Sequence, residues 1–180
     1  MMLQILALAT SLALTQAAPP EFKPSVNPVA DAARQSLAQQ SKNLIAAAEL
    51  MPADKYGYQP TDAQMTFGKL AAHIVQTNTV ICSMIGNLPV SLDVMKLADT
   101  APKDALVAAM KQSFTVCTEG LAKVTDAQLG EEVSMMGRRS GQSRAAAVIT
   151  ITSDWADHYS TAASYLRMNG ILPPTAQPKK

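Results

Sequence analysis

The sequence predicts an all-α protein, a single four-helix bundle, and three observations support that fold class. The chain has 180 residues, enough for one domain with a sizeable core. Aromatic residues make up only 4% of it, whereas alanine, leucine and ten methionines are plentiful, which favours helices over sheets. Four long segments also carry apolar residues at helical spacing, as the helices of a bundle do.

The first helix is predicted to start near Asn27, an N-cap residue, with Pro28 in its first turn. It ends at Met51, because Pro52 follows. The segment "PADKYGYQPTD" is then a turn-rich connection.

The second helix is expected to be capped by Thr61 or Asp62 and to run to about Gly86. Its apolar stripe consists of Phe67, Leu70, Ala71, Ile74, Ile81 and Ile85. A long linker, "NLPVSLDVMKLADTAP", separates it from the third helix.

The third helix starts at Pro102 and runs through "KDALVAAMKQSFTVCTEGLAKV". A second long connection without predicted strands follows, "TDAQLGEEVSMMGRRSGQ". Ser140 or Ser143 precedes the fourth helix, which ends at the C-cap signal Asn169-Gly170. The stripe of this last helix is Val148, Ile151, Trp155, Ala162 and Leu166.

The N-terminal run "MMLQILALATSLALTQAAPP" has the apolar core and small residues of a secretory signal cleaved near Ala17 or Ala18. No lysine or arginine precedes that core, so an uncleaved anchor is the main rival. We therefore expect a signal peptide at 1–18, a linker at 19–26, the bundle at 27–175 and a flexible tail at 176–180. The mature protein would be periplasmic or secreted, with no membrane span.

Export bears on Cys82 and Cys117, the two cysteines of the chain. An even pair in an oxidising compartment can form a disulfide. Two buried free thiols in helix cores are the alternative, and the sequence does not decide between them.

Composition argues against several classes of function. Fifteen basic residues balance fourteen acidic ones without a lysine or arginine cluster, so no nucleic-acid partner is expected. The sequence contains neither a glycine-rich phosphate loop nor a GxSxG motif. It has only two histidines, which argues against Ser-His-Asp catalysis.

Those two histidines are the chemically distinctive residues. Asp154 and His158 stand four apart, so they share one face of the fourth helix and flank the stripe that contains Trp155. His73 lies at the edge of the stripe on the second helix. From the residues alone, this is either a metal site or a polar edge on buried helices. Asp157 projects away from the stripe and is expected to be solvated.

Several motifs, in order, resemble the DinB-like (damage-inducible) four-helix proteins. The tail "HYSTAASYLRMNGILPP" is similar to the end of that family. The stretches "AAELMPADKYGYQPTDAQMTFGKLAAHIVQTNTVIC" and "FTVCTEGLAKVTDAQL" resemble its front half and its third helix. The resemblance covers nearly all of 27–175.

The resemblance implies a fold and a site. The helices would run up-down-down-up, with long connections between parallel neighbours. The family's three-histidine metal site falls on His73, Asp154 and His158, with a carboxylate in place of the middle imidazole. Two imidazoles and one carboxylate suit zinc, nickel, iron or manganese.

Two functions follow from these expectations. The first is an exported, metal-dependent hydrolase or thiol-type transferase that acts on a small-molecule substrate; no general base is nominated. The alternative is a non-catalytic bundle with a degenerate metal site, which binds a ligand or a partner, for example through a homodimer interface.

Overall fold

A computed structural model describes residues 23–178, so the signal peptide expected at 1–18 lies outside the described residues. The predicted four-helix bundle is confirmed. Within residues 23–178, no helix combines the length and the apolar character that a membrane crossing requires. The four long helices are α1 (Pro28–Leu50), α2 (Phe67–Gly86), α3 (Lys103–Ala122) and α4 (Arg144–Met168).

Helices α2 and α3 lie side by side and run in the same direction. The amide of Asn78 donates a hydrogen bond of 3.0 Å to the Ser113 hydroxyl, and Gly86 meets Gly120 further along both helices. The later residue of α2 meets the later residue of α3, so the two helices are parallel. Two parallel neighbours need a long connection, which residues 87–102 supply.

Helix α4 runs antiparallel to α2. The guanidinium of Arg144, at the start of α4, donates to the carbonyl of Ile85, near the end of α2. At the opposite end of the bundle, the Tyr165 hydroxyl donates a hydrogen bond of 2.9 Å to the Met65 carbonyl, just before α2.

Helix α1 is antiparallel to α3, which completes the up-down-down-up order. The Arg34 guanidinium, near the start of α1, donates to the Leu121 carbonyl at the end of α3 at 2.8 Å. Glu49, near the end of α1, forms a 2.7 Å ion pair with Lys111 in the first half of α3. The topology that the resemblance implied is therefore correct.

A disulfide joins the parallel pair α2 and α3. Cys82 and Cys117 are both fully buried and bonded, so the alternative of two free thiols is not the one adopted. The bridge closes a loop over a sequence separation of 35 residues. By restricting the unfolded chain, such a loop stabilises the fold by roughly 3–4 kcal/mol.

The second long connection contains a β-hairpin that the sequence analysis missed. Strands β1 (Glu132–Met135) and β2 (Arg138–Ser143) pair antiparallel. Met136 and Gly137 turn the chain with φ values of 51° and 75°, the left-handed geometry that tight hairpins require. The usual Asn-Gly signal is absent, and β1 has a single fully buried side chain, so no alternating pattern marks it.

The predicted start of α2 was also wrong. The helix begins at Phe67 rather than after Thr61 or Asp62, and its cap is Thr66, whose hydroxyl accepts a 3.1 Å hydrogen bond from the Lys69 amide. The preceding residues make a separate turn of their own, closed by local backbone hydrogen bonds. Thr66 was not considered as a cap in the sequence, and it lies four and five residues after the two that were.

The remaining helix ends agree with the sequence. Helix α1 begins at Pro28, and the Ser143 hydroxyl caps α4 by accepting from the Ala146 amide. Gly170, with a φ of 73°, follows the end of α4. After it, Pro174–Ala176 forms a short 3-10 turn. Its last residue, Ala176, is the first residue of the segment 176–180 that was expected to be flexible.

The crossing of α2 and α3 depends on glycine. A Cβ at Gly86 would lie 2.5 Å from the Gly120 Cα, and a Cβ at Gly120 would overlap the carbonyl oxygen of Cys82. Backbone atoms cannot rotate out of the way, so larger residues would push the two helices apart.

We predict that Gly120→Ala lowers the free energy of unfolding by about 1–3 kcal/mol, because the added methyl overpacks the crossing. Gly130→Ala is the control, since its Cβ would meet nothing within 4 Å. Urea denaturation of both variants with the disulfide intact measures the difference. Equal stability of the two variants would contradict the overpacking argument.

Candidate metal centre

The three residues singled out in the sequence lie together between α2 and α4. His73 projects from α2, and Asp154 and His158 project from adjacent turns of α4. One potential ligand atom from each residue can be chosen so that all lie within 4.8 Å of one another. The two imidazoles stack, with ring centroids 5.0 Å apart and an interplanar angle of 19°.

A buried hydrogen bond fixes the register that brings these residues together. The indole N–H of Trp155, which is fully buried, donates to the Asn78 side-chain oxygen at 2.6 Å. Trp155 adjoins Asp154 in sequence, and Asn78 lies one to two turns beyond His73 on α2. The contact therefore aligns the two halves of the site. The signal available in the sequence was an asparagine within the apolar second helix, and it was not singled out.

The backbone orients the His158 ring. Its Nδ1 lies 2.8 Å from the Asp154 carbonyl oxygen, one turn earlier on α4. A carbonyl can only accept, so Nδ1 carries the proton and Nε2 is the nitrogen with a free lone pair. Metal-binding histidines are commonly held in this way by a hydrogen bond from the other ring nitrogen.

Asp154 is the unusual member of the set. Its Oδ2 is buried and has no hydrogen-bond partner among residues 23–178. Burial raises the pKa of Asp154 above its ordinary value of 3.8, although His158 and His73 partly oppose the rise. A buried, unpartnered carboxylate oxygen is costly in a folded protein, and a bound cation would satisfy it. The residues present therefore fit a divalent metal.

The site is reachable from solvent. The His158 and Asp154 side chains retain 11% and 20% of their exposure. A cavity of about 330 Å³ opens beside the two histidines, and we call it the site cavity. Its walls are Ala63, Gln64, Met65, Leu70, His73, Asp157, His158, Thr161 and Tyr165.

Two further polar residues lie close to the histidines. The Thr77 hydroxyl is 3.5 Å from Nε2 of His73, at the outer limit of a hydrogen bond. Asp157 is solvated as expected, with 80% of its side chain exposed, yet its Oδ2 lies 3.8 Å from Nδ1 of His158. Asp157 thus projects away from the apolar stripe as predicted, and it also lies in the wall of the site cavity, which was not anticipated.

The donor set determines what the centre can do. Two neutral imidazoles and one carboxylate are three protein ligands, and catalytic metal sites with three protein ligands keep a position free for water or substrate. The carboxylate lowers the charge of the site by one relative to three histidines. The arrangement suits a Lewis-acid centre for small molecules that enter the cavity.

Without metal, the ionised Asp154 should destabilise the fold. Because its folded pKa is raised, folding favours the protonated form, and the penalty is present at neutral pH and disappears as the pH falls through the folded pKa. In metal-free protein we therefore expect Asp154→Asn to increase the free energy of unfolding at pH 7. The two proteins should converge below the ordinary pKa of 3.8.

Urea denaturation in chelator between pH 3.5 and 8 measures this difference. Asp93→Asn is the control, because the Asp93 side chain is 91% exposed and its ion pair with Lys96 is a surface one. An Asp154→Asn variant that is less stable than wild type at pH 7 would show that the carboxylate has a protein partner.

Known proteins share this fold. No protein-family model and no curated protein matches the sequence. Among solved structures, a DinB-like protein from Bacillus cereus ATCC 10987 superimposes with a TM-score of 0.64 at 17% identity, over 80% of this chain and 95% of that one. A DinB-like protein from Bacillus subtilis gives a TM-score of 0.59 at 18% identity, over 85% and 100%. The chain therefore has the DinB-like fold.

Proposed function

We propose that this protein is an exported metal-dependent enzyme, a hydrolase or thiol-type transferase that acts on a small molecule. His73, Asp154 and His158 hold the metal, which is zinc, nickel, iron or manganese. The observation that carries the proposal is the convergence of their ligand atoms within 4.8 Å, on two helices and beside a cavity.

Three features support metal binding over a polar edge on buried helices. Oδ2 of Asp154 lacks a protein partner among residues 23–178, the backbone holds His158 with one nitrogen free, and the two imidazoles face each other with ring centroids 5.0 Å apart. A polar edge evolved for stability alone would be expected to satisfy its buried carboxylate. The donor types are those that divalent transition metals select.

The cavity supports an enzymatic role. When bound, the metal supplies Lewis acidity to whatever enters the site cavity. The protein's own contribution is to orient the His158 ring, exclude bulk water with Leu70 and the Tyr165 ring, and limit the ligand to a small molecule. A cavity of about 330 Å³ lies at the small end of the range for ligand sites.

We predict that wild-type protein binds one equivalent of divalent metal and that His73→Ala loses it. Removal of one of three ligands leaves two adjacent groups on a single helix, which cannot hold a metal tightly. Gln76→Ala is the matched control, since Gln76 is a half-buried polar residue on the same helix, three positions along. Metal content after purification without added metal, followed by titration with zinc, gives the comparison.

A second measurement separates metal binding from folding. Metal bound to the native state should raise thermal stability, by about 2.7 kcal/mol when its free concentration is one hundred times the Kd. Wild type and Gln76→Ala should show the rise and His73→Ala should not. Absence of metal from wild type, with no rise in any variant, would refute the proposal and favour the non-catalytic bundle.

Export is the second element of the proposal. A fully buried Cys82–Cys117 bridge supports it, because disulfides persist in oxidising compartments and are rare in the cytosol. The apolar N-terminal run with small residues before Pro19 supports it independently.

We expect the exported protein to begin at residue 18 or 19, with both cysteines unreactive toward a maleimide under denaturing conditions. Intact-mass spectrometry of protein from the culture medium or periplasm tests both points. Arg34→Lys is the control for the mass assignment: it lies outside the N-terminal run, so its mass should differ from that of wild type only by the substitution. A chain that retains residues 1–18 and stays with the membrane fraction would support the uncleaved anchor instead.

A further inference from the structure

The walls of the site cavity carry charge of one sign. Apart from the histidines, Asp157 is the one ionisable carboxylate or amine among the residues that line it, all of which belong to the described chain. No lysine or arginine is among them. The nearest cation on α2, Lys69, lines a neighbouring cavity of about 310 Å³ on another side of His73, where Asp99 accompanies it.

Asp157 lies where its carboxylate can interact with a small molecule bound at the metal centre. Its Oδ2 lies 3.8 Å from the His158 ring, and 80% of its side chain is exposed. The carboxylate therefore lies at the mouth of the cavity, exposed to solvent and close to the proposed metal ligand His158. Together with Asp154 it gives the site two negative charges on α4, against two on a divalent metal.

The rest of the cavity wall is mainly apolar or neutral. Leu70, Met65 and the Tyr165 ring supply apolar surface, and Gln64 and Thr161 supply uncharged polar groups. The Tyr165 hydroxyl is committed to the Met65 carbonyl, and the Thr161 hydroxyl donates to the Asp157 carbonyl at 3.1 Å. Nothing in the wall is suited to neutralise a phosphate, a sulfonate or a second carboxylate.

We propose that the metal centre takes a small ligand with a cationic group, which the Asp157 carboxylate attracts at the mouth of the site cavity. The ligand binds the metal through a donor atom at one end and presents its positive end to Asp157. This inference rests on the proposed function, since it names the class of molecule that the metal centre accepts. Anionic ligands of the same size meet the Asp157 carboxylate and no lysine or arginine in the wall.

Three thiols of similar size test the proposal on cobalt-loaded protein. The cationic probe is 2-mercaptoethyl-trimethylammonium, the anionic probe is 2-mercaptoethanesulfonate, and the neutral one is 2-mercaptoethanol. None of the three tail groups chelates the metal strongly, so each thiol binds through sulfur. Cobalt–thiolate coordination produces strong near-ultraviolet absorption, which gives a Kd for each probe.

The diagnostic quantity is the ratio of affinities for the cationic and the anionic probe. The two thiols differ in their own acidity, so the ratio is compared between wild type and Asp157→Asn at one pH. We expect the substitution to lower the ratio about three- to fivefold at roughly 0.15 M salt, because the lost charge, about 5 Å from the tail groups, acts oppositely on the two probes and is screened by the salt. Asp157→Lys should lower it further. The neutral probe should change little.

Glu119→Gln is the matched control. It removes one exposed carboxylate from α3, in the wall of a different cavity at the opposite end of the bundle, and should leave the ratio unchanged. An unchanged ratio in Asp157→Asn and Asp157→Lys, with cobalt bound at full stoichiometry, overturns the inference but leaves the proposed function standing. Failure of wild type to bind cobalt overturns both. Raising the salt concentration should shrink the wild-type ratio toward that of Asp157→Asn.

Discussion

The hydrogen bonds of Asn78 determine how the helices of this bundle align. The side chain is fully buried, accepts from the Trp155 indole on α4 and donates to the Ser113 hydroxyl on α3. Apolar contacts are non-directional and tolerate sliding between helices, whereas a buried polar group that loses its partner costs about 1–3 kcal/mol. One amide therefore selects a single axial alignment of three helices.

That alignment sets the geometry of the candidate metal centre. The ligand atoms of His73, Asp154 and His158 can be grouped within 4.8 Å, and a slip of one helical turn between α2 and α4 would move them by about 5.4 Å. The site would be lost although the core stayed apolar. The Asn78–Trp155 contact thus connects the packing of the bundle to the chemistry that it can support.

Sequence periodicity and helix-end signals located the four helices, apart from the start of α2. The spacing of the residues singled out His73, Asp154 and His158, and the resemblance to DinB-like proteins supplied the helix order and the metal-site interpretation. Neither source supplied the hairpin, since β1 buries one side chain and its turn is Met136-Gly137. Asp157 is solvated as predicted, but its position in the wall of the site cavity was not anticipated, for a different reason. A helical wheel gives the direction of a side chain from its own helix axis, whereas the cavity beside Asp157 is formed by residues 63–65 from another part of the chain.

Oδ2 of Asp154, which has no partner among residues 23–178, is tolerated because the rest of the bundle is strongly constrained. At the opposite end of α2, the Cys82–Cys117 bridge stabilises the fold by roughly 3–4 kcal/mol, because it restricts the unfolded chain. At the Gly86–Gly120 crossing, backbone packs against backbone. Local features that oppose stability are expected at functional sites rather than in a scaffold. A buried carboxylate between two histidines, in a fold stabilised elsewhere, therefore supports the proposed binding of a cation.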